Sequence, residues 1–158
     1  MNETSQPLLK GPILALDLGE KRIGVAVADE TLITITPLDP LNRSNWKQLV
    51  RDVADLVRQF DARTLVIGLP LRLDGSTGNA AEKVHQKAVN LGRTIQIPVY
   101  LQNESLTSIE ARYELLSRGH SADEIPGLVD SEAARLILRD FLNTSERHLI
   151  STFSEKPE

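Results

Sequence analysis

Apolar and polar residues follow one another along this chain in a pattern that predicts strands first and helices later. Strand-like runs occupy residues 13–19 and 22–29, and a turn at Gly19-Glu20-Lys21 joins them. A third run, at 31–38, is rich in β-branched residues, which pack well on a pleated surface. Because the connections are short, we predict that these three strands form an antiparallel meander.

The period of the pattern then changes. Apolar residues recur at three- and four-residue spacings over 46–60 and again over 80–91, which is typical of amphipathic helices. Continuous apolar runs at 64–70 and 97–102 predict two buried strands between and after these helices. Helices that connect strands in this way favour a parallel arrangement of the strands.

Two further helices are predicted after the last strand. Thr107 and Glu110 have the form of a capping box, and the helix that they begin stops at Gly119. Asp130 opens the final helix. This order of elements predicts an α/β fold with one mixed five-stranded sheet, an antiparallel meander plus parallel strands, flanked by helices on both faces.

Length and composition indicate one ordinary globular domain. The 158 residues are 41% hydrophobic and 25% charged, and this length is sufficient for a single core. We expect the domain at 11–144, a flexible N-terminus at 1–10 and a flexible C-terminal tail at 145–158. No apolar run has the ~20 residues of a membrane span, and no secretory signal is visible. Together with the lack of cysteine, this favours a cytoplasmic location without membrane contact.

The net charge of −4 does not by itself decide whether the protein binds nucleic acid. Proteins that bind phosphates of nucleic acids tend to be basic, so the acidic balance taken alone disfavours that class. Carboxylates that hold divalent cations nevertheless count as negative in a sequence, although the loaded site is neutral or positive. The positions of the acidic residues therefore matter more than their sum.

Three acidic residues occupy positions where a ligand site is expected. Asp17 lies in the otherwise apolar first strand, where an unpaired buried carboxylate costs several kcal/mol. Glu104 follows the strand at 97–102, at the end where parallel sheets bind ligands, and Asp130 begins the final helix. Oxygen ligands from three segments suit Mg²⁺ or Mn²⁺.

Each of these carboxylates also has an ordinary structural interpretation. Asp17 could pair with Lys21 or Arg22. Glu104 could be an exposed loop residue near a helix N-terminus, and Asp130 could be a plain N-cap. Only the joint pattern favours a metal site. The three histidines show no metal spacing, and the motifs of serine hydrolases and P-loop NTPases are absent from the sequence.

Four segments of the chain, taken in order, resemble the YqgF family of RNase H-like proteins, which includes pre-16S rRNA nucleases and Holliday junction resolvase homologues. They are LDLGEKRIGVAVAD, IGLPLRLDGSTGNAA, ESLTSIEA and VDSEAARLILRDFL, within residues 11–143. The resemblance implies an RNase H-like fold in which Asp17, Glu104 and Asp130 are the catalytic and metal-binding residues. It implies a cytoplasmic hydrolase that acts on structured nucleic acid, with the 5′ end of pre-16S rRNA as favoured substrate in ribosome biogenesis.

The chemistry expected for such a site is phosphodiester hydrolysis assisted by two metal ions, Mg²⁺ or Mn²⁺. Asp17 is the best candidate to bridge the ions, because it comes from the most rigid element. Lys21, Arg22 and Arg72 are candidate nucleic-acid contacts, with ordinary surface charge as the alternative.

Three other functions stay open at this point. One is a Holliday junction resolvase-like DNA endonuclease, which would act as a homodimer because it cuts two strands symmetrically, whereas a processing nuclease can act as a monomer. Another is a weakly or non-catalytic assembly factor that binds nucleic acid or ribosomal precursor particles, since Asn103 and Ser105 stand where the family usually has Asp and Arg. The last is a sugar-kinase or actin-like ATP-binding protein, which needs a second domain to close over ATP.

Overall fold

A computed structural model describes residues 8–19, 21–70, 78–103, 114, 117–119, 125–144 and 147–151. Its centre is a mixed sheet with the strand order β3-β2-β1-β4-β5-β6. The pairs β1–β2, β2–β3 and β5–β6 are antiparallel, while β1–β4 and β4–β5 are parallel. The strands are β1 (Ile13–Leu18), β2 (Arg22–Ala28), β3 (Ile35–Asn42), β4 (Thr64–Leu69), β5 (Val99–Asn103) and β6 (His148–Ser151). The helices with described bounds are α1 (Trp46–Phe60), α2 (Asn79–Ile95) and α3 (Ile125–Asn143).

Helices cover both faces of this sheet, and the predicted α/β architecture is therefore confirmed. On one face, Leu14 and Leu16 of β1 pack in a core with residues of α1 and α2. On the other face, Ile13 and Ala15 pack in a second core with residues of α3. Because β1 is buried on both sides, its sequence is apolar at consecutive positions rather than at alternate ones.

The third strand begins four residues later than predicted. The β-branched residues that suggested a strand at 31–38 instead form a turn around Asp29. The carboxylate oxygen Oδ1 of Asp29 accepts hydrogen bonds from Thr31 Oγ1 at 2.8 Å and from the backbone N–H of Ile33 at 3.1 Å. Local side chain–backbone bonds of this kind compete with strand pairing and outweigh β propensity here.

The final helix begins five residues earlier than predicted, at Ile125 rather than Asp130. Pro126 and Gly127 suggested a connection in the sequence, but a proline is tolerated in the first turn of a helix, where its missing N–H is not needed. Asp130 therefore lies within α3, and its interpretation as an N-cap is wrong.

The sheet also has one strand more than the five predicted. His148–Ser151 forms β6 at the edge next to β5, within the stretch that we expected to be a flexible tail. Its four residues are too short for a clear periodic pattern, so only pairing with β5 reveals the strand. The predicted capping box at Thr107 and Glu110 lies outside the described residues. Within the described chain, no helix has the length and apolarity needed to span a membrane.

Candidate active site

Asp17 is the next-to-last residue of β1 and lies close to the carboxyl end of the strand. Side chains alternate between the two faces of a strand, so Asp17 shares the α3 face with Ile13 and Ala15. The residue is only 9% exposed. A buried carboxylate at a strand end, facing a helix that carries another candidate carboxylate, is the starting point of the site.

A glycine allows that helix to approach the sheet at this point. Gly24 of β2 is the register partner of Asp17. A Cβ atom placed on Gly24 would lie 1.8 Å from the backbone oxygen of Asp130, so no larger residue fits without displacing α3. Paired residues of antiparallel strands have Cα atoms about 5 Å apart. The close approach at Gly24 therefore brings Asp130 next to Asp17.

The side chain of Asp130 is held by an arginine from the neighbouring strand. Arg22 Nε donates a hydrogen bond of 2.6 Å to Asp130 Oδ2, and the two side chains are 34% and 21% exposed. A charge-assisted bond of this length orients the carboxylate and offsets part of its negative charge. Arg22 was predicted as a nucleic-acid contact or as a partner of Asp17, and the structure shows it in an ion pair with Asp130.

Asp17 and Asp130 line one cleft of about 470 Å³. The cleft lies at the carboxyl ends of β1 and β4, where Gly19 and Pro70 follow the strands. The cleft is also lined by three positively charged side chains: Arg43, which follows β3, and Lys83 and Lys87 from the first half of α2. Carboxylates and cations are thus gathered at the sheet edge where α/β folds bind ligands.

The sequence did not lead us to predict Arg43, Lys83 and Lys87 as site residues. Partial burial lowers the pKa of Lys87, and the positive charges of Arg43 and Lys83 lower it further. Arg43 Nη1 donates to the backbone oxygen of Gly19 at 3.0 Å, which ties this residue to the turn after β1. In sequence, each of the three looks like an ordinary surface charge. The spacing of Lys83 and Lys87, one helical turn apart, was the only available signal.

Of the remaining predicted site residues, the structure describes Lys21 alone. Lys21 is exposed at the end of the β1–β2 turn. Glu104 and Arg72 lie outside the described residues. The last described residue before Glu104 is Asn103, which ends β5 and pairs with Leu69 at the end of β4.

The chain matches the model of a family named RuvX and described as Holliday junction resolvase, over residues 11–144. This chain belongs to the RuvX family. The match confirms the resemblance to the YqgF family, because the two names denote the same proteins. It spans all three helices with described bounds and the first five strands, including both carboxylates of the cleft.

Relatives of this RuvX protein carry the name of a nuclease. A protein of Syntrophus aciditrophicus (strain SB) named "Putative pre-16S rRNA nuclease" is 45% identical over 139 residues, which cover 87% of this chain and 92% of the relative. A protein of the same name from Anaeromyxobacter sp. (strain Fw109-5) is 40% identical over 130 residues, covering 82% and 95%. The family and these relatives support a nuclease function for this chain.

Solved structures confirm the RNase H-like fold. A structure of T. thermophilus RuvC in complex with Holliday junction substrate has a TM-score of 0.56 with this RuvX protein. The similarity covers 89% of this chain and 100% of the RuvC chain, at 15% sequence identity. At that identity, the similarity shows the shared fold alone.

The donor chemistry of the cleft fits a divalent cation that prefers oxygen. Asp17 and Asp130 offer carboxylate oxygens, the ligands that Mg²⁺ and Mn²⁺ favour. Among the residues that the structure describes, no group of three or more histidine, aspartate or glutamate side chains could hold a metal ion. A third carboxylate would have to come from outside them, and Glu104 is the predicted one.

A network of ion pairs begins on α3 two residues after Asp130. Glu132, whose side chain is 6% exposed, accepts a hydrogen bond of 2.8 Å from Arg135 Nε. Arg135 Nη2 also donates to Glu114 Oε2 at 2.9 Å. Burial raises the pKa of Glu132, but hydrogen bonds and the positive charges of Arg135 and Arg118 outweigh burial and hold that pKa below its ordinary value. The network ties α3 to Glu114 through Arg135.

Two histidines line a second cleft of this RuvX protein, whose lining includes neither Asp17 nor Asp130. His85 of α2 and His148 of β6 meet there with Glu82, in a space of about 450 Å³ that is lined mainly by apolar atoms. Within the described chain, no metal-binding group is found at this place.

Proposed function

We propose that this chain is a metal-dependent nuclease that hydrolyses phosphodiester bonds in structured nucleic acid, with the 5′ end of the 16S rRNA precursor as its substrate in ribosome biogenesis. The observation that carries the proposal is the pair Asp17 and Asp130, which line one cleft together with three cations. Hydrolysis of a phosphodiester needs positive charge around an anionic substrate and ligands for a catalytic metal. The name shared by the relatives, pre-16S rRNA nuclease, supports the choice of substrate.

Asp17, Glu104 and Asp130 would hold the metal, Mg²⁺ or Mn²⁺. When bound, a divalent cation supplies a more acidic attacking water and stabilises the charge that develops on the leaving oxygen. Asp17 belongs to a strand that is buried along nearly its whole length, so its carboxylate has a fixed position. Arg22 holds the carboxylate of Asp130 in place through its 2.6 Å hydrogen bond.

Lys21 and Arg72 are proposed to contact phosphates of the nucleic acid, and Arg22 does so in addition to its bond with Asp130. The proposed location is the cytoplasm. The proposed partners are pre-rRNA, favoured over branched DNA, and ribosomal precursor particles. A processing nuclease with these partners has no need of a second copy, so we expect an active monomer.

The test compares cleavage of precursor rRNA by the wild type, Asp17→Asn and Asp61→Asn. Asp61 is an exposed aspartate between α1 and β4, near the amino end of β4 and therefore at the opposite end of the strands from Asp17. Its left-handed backbone conformation suits asparagine equally well.

We expect the Asp17 variant to lose at least about 100-fold in rate, because a metal ligand stabilises charge in the transition state. The Asp61 variant should cleave like the wild type, and excess EDTA should stop cleavage until Mg²⁺ is restored. Equal rates for the Asp17 variant and the wild type would overturn the site, and cleavage in EDTA would overturn the metal dependence.

A Holliday junction resolvase-like activity is the second candidate, because the family description names that function and a RuvC structure shares the fold. The discriminating assay offers precursor rRNA and a four-way DNA junction side by side. Symmetric nicking of the junction by a dimer would favour the resolvase, since paired cuts need two-fold partners. Tight RNA binding without Mg²⁺-dependent cleavage would instead favour a non-catalytic assembly factor.

A further inference from the structure

The cleft that Asp17 and Asp130 line also contains a group of three cations. Arg43 lies between β3 and α1, and Lys83 and Lys87 lie one turn apart on α2. All three line the same cleft as Asp17 and Asp130. Arg43 and Lys87 also meet in a smaller adjoining cleft. We call Arg43, Lys83 and Lys87 the cationic cluster.

The cluster is a concentration of like charge within the folded protein. Lysines four residues apart on a helix repel each other, and the guanidinium of Arg43 adds a third positive charge. Burial lowers the pKa of half-buried Lys87, and its two cationic neighbours lower it further. Within the described residues, neither Lys83 nor Lys87 forms an ion pair with a carboxylate. The carboxylates of the described residues therefore do not neutralise these lysines through ion pairs.

The geometry of the cluster suits a tetrahedral anion. Arg43 is anchored by its 3.0 Å bond to the oxygen of Gly19 and by its backbone N–H, which donates to Lys21 O at 3.2 Å. The anchored guanidinium of Arg43 brings a positive charge to the cleft. Lysine ammonium groups bind phosphate as mobile point charges. One fixed and two mobile cations can therefore close around the oxygens of a phosphate.

We propose that Arg43, Lys83 and Lys87 form a phosphate-binding subsite, which holds a backbone phosphate of the nucleic acid beside the phosphodiester that lies at Asp17 and Asp130. The nature of this ligand rests on the proposed nuclease function. The subsite lies in the same cleft as the carboxylates, so a strand bound at Asp17 and Asp130 also passes Lys83 and Lys87 on the first half of α2. Its charges attract the substrate and set its register, while bond cleavage belongs to the carboxylates.

The test measures binding without cleavage. A fluorescent stem-loop of precursor rRNA is titrated in EDTA with the wild type, Lys83→Gln, Lys87→Gln and the double variant, between about 50 and about 200 mM potassium chloride. Each phosphate contact to a single strand contributes about 0.7 to the slope of log affinity against log salt. Because the subsite holds one phosphate, we expect the double variant to lower the slope by about 0.7 and each single variant to lower it by a part of that amount, with weaker binding at every salt concentration.

Two controls separate a phosphate contact from a structural effect. Lys10→Gln removes an exposed lysine that precedes β1, near the amino end of that strand and far along it from Asp17. This variant should leave the slope unchanged. Lys87→Arg keeps the positive charge and should show most of the wild-type slope. If Lys87 had a purely structural role, there would be no reason for arginine to preserve the slope. Circular dichroism checks that each variant is folded. Slopes of Lys83→Gln and Lys87→Gln equal to that of Lys10→Gln would overturn the subsite.

A second arm distinguishes a backbone phosphate from a free one. Inorganic phosphate is titrated against the wild type and the double variant while the amide resonances of α2 are followed. The proposal is supported if the wild type binds free phosphate weakly, the double variant does not bind it, and the salt dependence of RNA affinity changes as expected. Binding of free phosphate with an unchanged RNA slope would overturn the backbone assignment. Because no arm needs cleavage, the subsite stands or falls even if the wild type proves inactive on precursor rRNA.

Discussion

Substituting Gly24 by alanine tests whether the close approach of α3 to β2 sets the position of Asp130. The added Cβ would lie 1.8 Å from the backbone oxygen of Asp130, and contacts under 3.0 Å are essentially never observed. Strand and helix must therefore separate by at least about 1.2 Å, because neither contacting atom belongs to a flexible side chain. Overpacking of this kind costs about 1–3 kcal/mol, and a backbone clash favours the upper end.

The same displacement should reduce activity beyond its effect on stability. A misplacement of about 1 Å at a reacting centre can cost about 100-fold in rate, and Asp130 moves with α3. The matched control is Val25→Ala, which creates a cavity on the opposite face of β2 and should cost about 2 kcal/mol without changing the spacing of β2 and α3.

Urea unfolding gives the stability of both Gly24→Ala and Val25→Ala, and precursor rRNA cleavage is measured at a temperature where both are folded. We expect similar stabilities but a large loss of activity only for Gly24→Ala. A stability of this variant within about 0.5 kcal/mol of the wild type would refute the close approach. Equal activities of the two variants would refute the link between helix position and catalysis.

Two other predictions concern the ion pairs of α3. Arg22→Gln should cost under about 1 kcal/mol in urea unfolding, because both partners are partly exposed. It should nevertheless slow cleavage at least about tenfold, since Asp130 loses the group that orients it; an unchanged rate would contradict that role. Glu132 has a pKa held below its ordinary value, so its contribution to stability is present above about pH 4.5 and is lost as the pH falls through the lowered pKa. Thermal unfolding between about pH 7 and pH 3 should therefore show a smaller loss of stability for Glu132→Gln than for the wild type. Parallel curves for the two proteins would contradict this assignment.

The order and type of most elements were predictable because burial leaves a periodic trace in the sequence. The helix face at 46–60 matches α1 residue for residue, and the strand at 64–70 differs from β4 only at its last position. The errors lie where a local or tertiary contact outweighs the pattern. Asp29 draws the residues before β3 into a turn, and β6 exists only because it can pair with β5.

The candidate site was predictable in part for the same reason. Asp17 is conspicuous because a carboxylate interrupts a run that is otherwise buried on both faces. Lys83 and Lys87 are not conspicuous, because lysines on a helix look alike whether they face bulk water or a cleft. Arg22 was expected to contact nucleic acid or Asp17, and its bond to Asp130 spans 108 positions of the chain.

The sequence by itself determined the α/β class, the family, and the unusual position of Asp17, because hydrophobic period and motif order are properties of neighbouring residues. The tertiary structure decided which charges share a cleft. Gly24 lets α3 approach β2 and brings Asp130 to Asp17, while the packing of α2 brings two lysines to the same cleft. Which side chains share a cleft depends on how distant elements pack against each other. The local sequence pattern of one element does not specify which other element it will lie beside.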